Sequence, residues 1–270
     1  MAGPCEAQTF QGFDAGGVRL GMSVADVNAV LDAAGYRHDA VTFAYKEAPS
    51  QLYTKYMRAS KCELFLFESS RCEDRMVIRF SEIPGSERVV LVAREFDFDN
   101  GDKAPSVIEY GKAFEEKLKI ATTYRNMGAD WYQQEFDWDT NGQPHKHPIT
   151  WGLNHLDPEI SICHQYMPQK DLHEAETTDF VRYRQQRLDH LRGIVAKPSD
   201  WEPDPLCGAS LRIDYDASDP NPDLSKIVVR TVKYYFYDDA ALAKMVDDRG
   251  HWLWERQQQL PPPEKDTPRL

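Results

Sequence analysis

Chemistry is most concentrated in this sequence around His145-Lys-His147, followed by His155, Asp157, Cys163-His164 and His173. Two histidines one residue apart on a strand point the same way and can share a Zn²⁺ ion. A third ligand would come from a nearby loop, and His155 or Asp157 is placed to supply it. The alternative is that a polar loop rich in Pro and Gln exposes histidines that bind nothing. Two acid-rich runs, Asp97-Phe-Asp-Asn-Gly-Asp102 and Asp137-Trp-Asp-Thr-Asn-Gly142, carry the oxygen ligands that Ca²⁺ prefers, but neither has the EF-hand spacing with its terminal Glu. They read as solvated turns. Nucleophile-elbow, phosphate-loop and dinucleotide-binding motifs are absent from the sequence.

The same segment is crowded with aromatic residues. Trp131, Tyr132, Trp138 and Trp151 are of the types that anchor protein interfaces. Exposed and rimmed by acids, they would suit a basic protein partner or a carbohydrate. Packed inward, they would form a satellite hydrophobic cluster. Cysteines add a second question. Cys62 and Cys72 flank nine residues that read as a strand running into a turn, so a bridge between them is geometrically plausible. Cys163 and Cys207 would make a second bridge and Cys5 would be left over. The alternative is five reduced thiols, and spacing alone does not decide. No CxxC pair supports a zinc ribbon.

The elements that position these residues follow from local pattern. Ser23 is a good N-cap and Asp26 completes a capping box. Val24, Val27, Val30, Leu31 and Ala34 then give one apolar stripe of a helix that stops at Gly35. Val41, Phe43 and Tyr45 alternate as a half-buried strand, and Leu52, Tyr53, Tyr56 and Met57 have the spacing of a helical turn. Strands are expected at 62–67, 76–80 and 88–98, with short turns that favour an antiparallel meander. Ser106 and Glu109 cap a second helix carrying Val107, Tyr110, Phe114 and Leu118. Residues 127–175 read as a long irregular excursion with one strand at 148–152. A helix at 174–194, strands at 209–215 and 226–237, and a final helix capped by Asp238 follow.

The fold expected is therefore α+β: an antiparallel sheet with helices packed on one face. Its parts are 10–125, a helix-plus-sheet unit, and 126–260, which completes the fold, with 261–270 as a disordered tail. No exact internal repeat is visible, but both halves pair strands with capped helices, as two related halves would.

Gly17-Val-Arg-Leu-Gly-Met-Ser23 with its capped helix and the meander behind it resembles the helix-plus-sheet units of the β-lactamase-inhibitor-protein-like fold, found also in small outer-membrane assembly lipoproteins. There a Gly-Met-Ser or Gly-Met-Thr turn opens the first helix. Gly21, Met22 and Ser23 match that turn, and the resemblance covers about the first 120 residues. A strand-like segment at 39–46 stands where the family has a second helix. The resemblance implies an envelope-associated or secreted protein that acts by binding another protein, with no catalytic residues to carry over.

Totals narrow the function further. The chain has 270 residues, 32 Lys+Arg against 44 Asp+Glu and a net charge of -12, which disfavours nucleic acid as a partner. No stretch approaches the roughly 20 apolar residues of a membrane-spanning helix. The N-terminus has no basic region followed by an apolar stretch, so the expectation is a periplasmic or secreted location with the signal peptide outside the given sequence, or else a cytoplasmic one. The sequence thus points to a non-enzymatic interaction protein without cofactor whose partner has a basic surface. The alternative is a zinc-dependent hydrolase using the histidines at 145–173.

Overall fold

The computed structural model describes residues 12–63, 71–98, 104–120, 125–126, 131–139, 141–144, 172–180, 208–217 and 223–259. They form helices α1 (Val24–Ala33), α2 (Val107–Leu118), α3 (Leu172–Thr177) and α4 (Asp239–Gln259). The strands are β1 (Arg37–Tyr45), β2 (Ala48–Glu63), β3 (Arg71–Phe80), β4 (Val89–Asp97), β5 (Arg125–Asn126), β6 (Trp131–Trp138), β7 (Ala209–Ala217) and β8 (Val229–Asp238). All eight lie in one antiparallel sheet of order β1-β2-β3-β4-β8-β7-β6-β5. Two meanders therefore meet at the β4–β8 pair, and the expected α+β class with an antiparallel sheet is present.

Both capped helices form for the reason their sequences give. The Asp26 N–H donates to the Ser23 hydroxyl at 3.2 Å and the Ser23 N–H donates to the Asp26 carboxylate at 3.1 Å. Ser106 and Glu109 repeat the arrangement at 3.2 and 2.8 Å. Each reciprocal pair satisfies two amides that the first turn leaves free. These bonds hold both carboxyls below their usual range. Each N-cap also bridges the residue just ahead of the inner strand of its meander: Ser23 pairs with Arg88 before β4, and Ser106 with Val228 before β8. The ladders repeat a further detail. Register shifts occur between Arg79 and Phe80 on β3 and between Asp216 and Ala217 on β7, where Phe80 then meets Val89 and Ala217 meets Val229.

Strand alternation divides the interior in two. On the first face Met76, Ile78, Val92, Ile213, Tyr215, Val232, Tyr234 and Phe236 pack with Val27 and Leu31 of α1 and Val107 and Leu118 of α2. On the second face Val77, Leu91, Ala93, Tyr235 and Tyr237 pack with Ala175 of α3, Phe180, and Leu242 and Met245 of α4. Helices thus cover both faces, where the sequence reading placed them on one. Asp238 caps α4 by accepting from the Ala241 N–H at 2.7 Å. Within α1 the expected stripe holds for Val27 and Leu31, which are buried, whereas Ala34 is exposed.

Two local expectations change. The helical turn at 52–57 is part of β2, whose pairing with β1 skips Lys55: Val41 meets Tyr56 and Thr42 meets Thr54. This bulge sets Tyr53 and Tyr56 on the same face three residues apart, a spacing that imitates a helix. The irregular excursion opens with a strand instead, β6, in which Tyr132, Gln134, Phe136 and Trp138 alternate with Trp131, Gln133, Glu135 and Asp137. The expected strands at 64–67 and 148–152 and the helix beyond 180 lie outside the described residues.

Candidate functional site

The second face is apolar only where α3 and α4 lie on it. Elsewhere the register lines up polar side chains from distant parts of the chain. One row runs Gln133, Asp214, Lys233, Glu95, Arg75 across five strands, and the row beside it runs Trp131, Asp216, Thr231, Asp97 across four. In the first row the charges alternate in sign, so every neighbour is an attractive cross-strand partner. Gln133 donates to Asp214 at 3.0 Å, and the Arg212 guanidinium grips both oxygens of Asp214 at 2.9 Å. Lys233 lies 3.8 Å from Glu95. Arg75 pairs with Glu95 and reaches Asp97 at 3.5 Å, while Thr231 donates its hydroxyl to Asp97 at 2.8 Å. Deeper in, Ser210 donates to Asp137 at 2.8 Å.

Exposure is graded along this surface. Gln133, Asp137, Asp214 and Glu95 are buried, Asp97, Lys233 and Arg212 are half-buried, and Asp216 is exposed. The half-buried Trp131 stands at the end of the outer row with the Arg212 guanidinium 5.9 Å from its ring centroid. Because Asp214 fixes Arg212, the guanidinium backs the indole as a rigid platform. The outer row is thus a ledge with an aromatic group at one end and carboxylates at Asp216 and Asp97. It can receive a cationic or hydrogen-bond-donating surface without rearranging.

Two other charged clusters lie in the interior and act on the fold. On the first face Arg94 donates to Asp74 at 2.7 and 2.6 Å, to the Tyr36 hydroxyl at 3.1 Å and to the Tyr234 hydroxyl at 2.7 Å, and Tyr36 donates to Asp74. Burial and the adjoining Asp74 push the Tyr36 hydroxyl well above its usual range, and burial does the same to Tyr234, so both stay protonated, Tyr36 as a donor to Asp74 and Tyr234 as an acceptor from Arg94. Gly16, at φ +64, lies against this cluster; a Cβ there would sit 3.2 Å from the Tyr36 hydroxyl oxygen. On the second face the fully buried Arg79 donates to the carbonyls of Ala175, Glu176 and Thr178 at 2.8, 3.0 and 3.1 Å and to Glu82 at 3.1 Å. Arg249 of α4 pairs with the other oxygen of Glu82. Arg79 thereby caps the C-terminal end of α3, satisfying carbonyls that the last turn leaves free.

The residues singled out in the sequence fare differently. Trp131 is on the ledge. Tyr132 and Trp138 are core residues of β6, 2% and 0% exposed, because the alternation of that strand turns them to the first face; they are not surface anchors. Cys62 and Cys72 face each other across β2 and β3 and are joined as a disulfide. Trp151, His145, His147, His155, Cys163 and Cys207 lie outside the described residues. Among the described residues no group of three or more His, Cys, Asp or Glu is disposed to hold a metal ion, and no helix is long and apolar enough to cross a membrane. In the acid-rich run at 137–142, Asp139 accepts from the N–H groups of Asn141 and Gln143 at 2.8 Å each, closing a turn on itself. Sequence reasoning missed Arg75, Glu95, Asp214 and Lys233 because only strand register brings them together. Comparison of the chain with known protein families, with curated proteins and with solved structures returns no match.

Proposed function

We propose that this chain is a non-enzymatic interaction protein that receives a protein partner on the polar ledge of its second sheet face. The observation that carries this reading is the row Trp131, Asp216, Thr231, Asp97, held in place by the buried row behind it. A sheet face that only served the core would be apolar, since each buried polar group costs free energy unless it is matched. Here those groups are matched by one another and fixed, which lowers the entropy cost of docking. The carboxylates on the ledge and the net charge of -12 favour a partner with a basic surface.

The finer features belong to the same reading. The chain is taken as two related helix-plus-meander halves, supported by the repeated Ser caps, the repeated bridges ahead of β4 and β8, and the matching register shifts on β3 and β7. Likeness to the β-lactamase-inhibitor-protein-like units is carried by Gly21-Met22-Ser23. An extracytoplasmic location is supported by the Cys62–Cys72 pair, since disulfides persist in oxidising compartments.

The test is co-purification from the native host with the wild-type chain and with Asp97→Lys/Asp216→Lys. A stoichiometric partner that is lost from the double variant, and released from wild type by salt, supports the reading. A partner retained by the double variant overturns it. Metal analysis without chelator is the companion measurement: one zinc per chain, lost in His147→Ala, would replace the binding reading with the hydrolase.

A further inference from the structure

We infer that β1 is the surface through which two copies of this chain associate, edge to edge and antiparallel, with Thr42 on the two-fold axis. The sheet order ends at β1, so its outer edge has no neighbour among the described strands. The strand is half-buried at His38, Val41 and Tyr45 and exposed at every other position, including Phe43 at 43%. Edge strands are ordinarily guarded by Lys, Pro or a bulge of their own. β1 contains no Lys or Pro. Its charged residues Arg37 and Asp39 fall in its first three positions and Lys46 lies just past its end, leaving Ala40-Val-Thr-Phe-Ala-Tyr45 uncharged and of a composition that favours strand pairing. Both irregularities of the β1–β2 ladder fall on β2: the pairing passes over Lys55, then over residues 49–51, while β1 runs on residue by residue. Its outer edge therefore keeps a regular pleat.

Geometry limits the registers such a pair can take. A two-fold axis perpendicular to the sheet leaves every side chain on its own face, so residues on the same face must oppose and the axis must pass through a residue. An axis at Phe43 would set Asp39 of one copy against Glu47 of the other. Axes at Ala40 and Val41 leave both Arg37 and Asp39 opposite Val, Phe or Tyr, whereas at Thr42 only Asp39 does, facing Tyr45, with His38 facing Lys46. Only Thr42 among these positions brings Arg37 of each copy to Glu47, in the β1–β2 turn, of the other, an attraction at both ends of the strand. The same register lays Val41 against Phe43 twice at the centre, covering that exposed ring. Arg37 is exposed and makes no ion pair or side-chain hydrogen bond among the described residues.

Light scattering coupled to size-exclusion chromatography of the full chain, over a hundredfold range of concentration, tests this. The expected result is a monomer–dimer equilibrium. Thr42→Lys, which sets two ammonium groups against each other on the axis, should shift it at least tenfold toward monomer with an unchanged circular-dichroism spectrum. Arg37→Glu should do the same, and Arg37→Glu/Glu47→Arg should restore the dimer. A wild-type chain monomeric throughout, or a dimer indifferent to Thr42→Lys, would overturn the inference. Because β1 lies at the opposite end of the sheet from Trp131, Asp97→Lys/Asp216→Lys should leave this equilibrium untouched.

Discussion

Replacing Arg79 by Met would unlock α3 from the sheet. The Met side chain fills much of the volume of the Arg stem but removes four hydrogen bonds: three to the carbonyls of Ala175, Glu176 and Thr178, and one to Glu82. Removing one partner of a buried ion pair typically costs about 3–5 kcal/mol. Two features set the size here. Arg249 remains to pair with Glu82, which lowers the loss. The three carbonyls, by contrast, lose a charged donor at a site with no exposure, which raises it. The guanidinium also stacks over Phe180, 4.3 Å from the ring centroid, and that attraction goes as well. We expect a loss of about 3–4 kcal/mol, a fall in melting temperature of roughly 6–12 °C for a chain of this size. The assay is urea denaturation followed by tryptophan fluorescence and circular dichroism, with hydrogen exchange to locate the change. Exchange should accelerate at 172–180 before it does in β3 and β4. A loss below about 1 kcal/mol, or protection at 172–180 equal to that of wild type, would refute the view that Arg79 is the fastening of α3.

Acid should act on the same fastening from the other side. The bidentate bond from Arg58, at 2.7 Å to each oxygen, holds the Glu176 carboxyl below the usual glutamate range. Its contribution is therefore complete above the unfolded-state value near 4.5 and is lost as pH falls through the lower native value. Because Arg58 is half exposed, the loss should be only about 0.5–1 kcal/mol, read as a pH-dependent difference between wild type and Glu176→Gln in denaturant melts. Ser106→Ala should cost about 1 kcal/mol through the loss of the reciprocal cap, and Ser106→Gly distinctly less, measured in the same way. Loss of the Cys62–Cys72 bridge should lower stability by about 2–3 kcal/mol through the loop it closes, read as the difference between wild type and Cys62→Ser/Cys72→Ser in denaturant melts without reductant.

Much of the fold is local in origin and was legible for that reason. Ser23 with Asp26 and Ser106 with Glu109 announce their helices within four residues, and the short turns between β3 and β4 announce a meander. The misreadings also have physical causes. Lys55 bulges from β2 and gives Tyr53 and Tyr56 a helical spacing. β6 buries Gln133, Gln134, Glu135 and Asp137 together with its aromatics, so its alternation is masked by polar residues that register alone satisfies. Helices on the second face were missed because α3 is short and is fastened by Arg79, a contact that spans some ninety-six positions in sequence. The candidate site was legible at Trp131 and at Asp97, the latter read as part of a solvated acidic turn where it ends β4 and bonds to Thr231. Its other members come from β3, β4, β7 and β8, and the rule that joins them is cross-strand pairing, which sequence spacing does not encode.

The central claim is that the ledge meets another protein. It is tested most directly by placing a photo-crosslinking amino acid at position 131, and separately at position 32 on the exposed side of α1, in the full chain expressed in its native host. Irradiation should yield one discrete partner other than the chain itself from position 131, lost on adding Asp97→Lys/Asp216→Lys, and not from position 32, which lies beside β1 through His38 and can capture only a second copy of the chain. Capture of that partner from position 32 alone, or from position 131 undiminished by the charge reversal, would contradict the account.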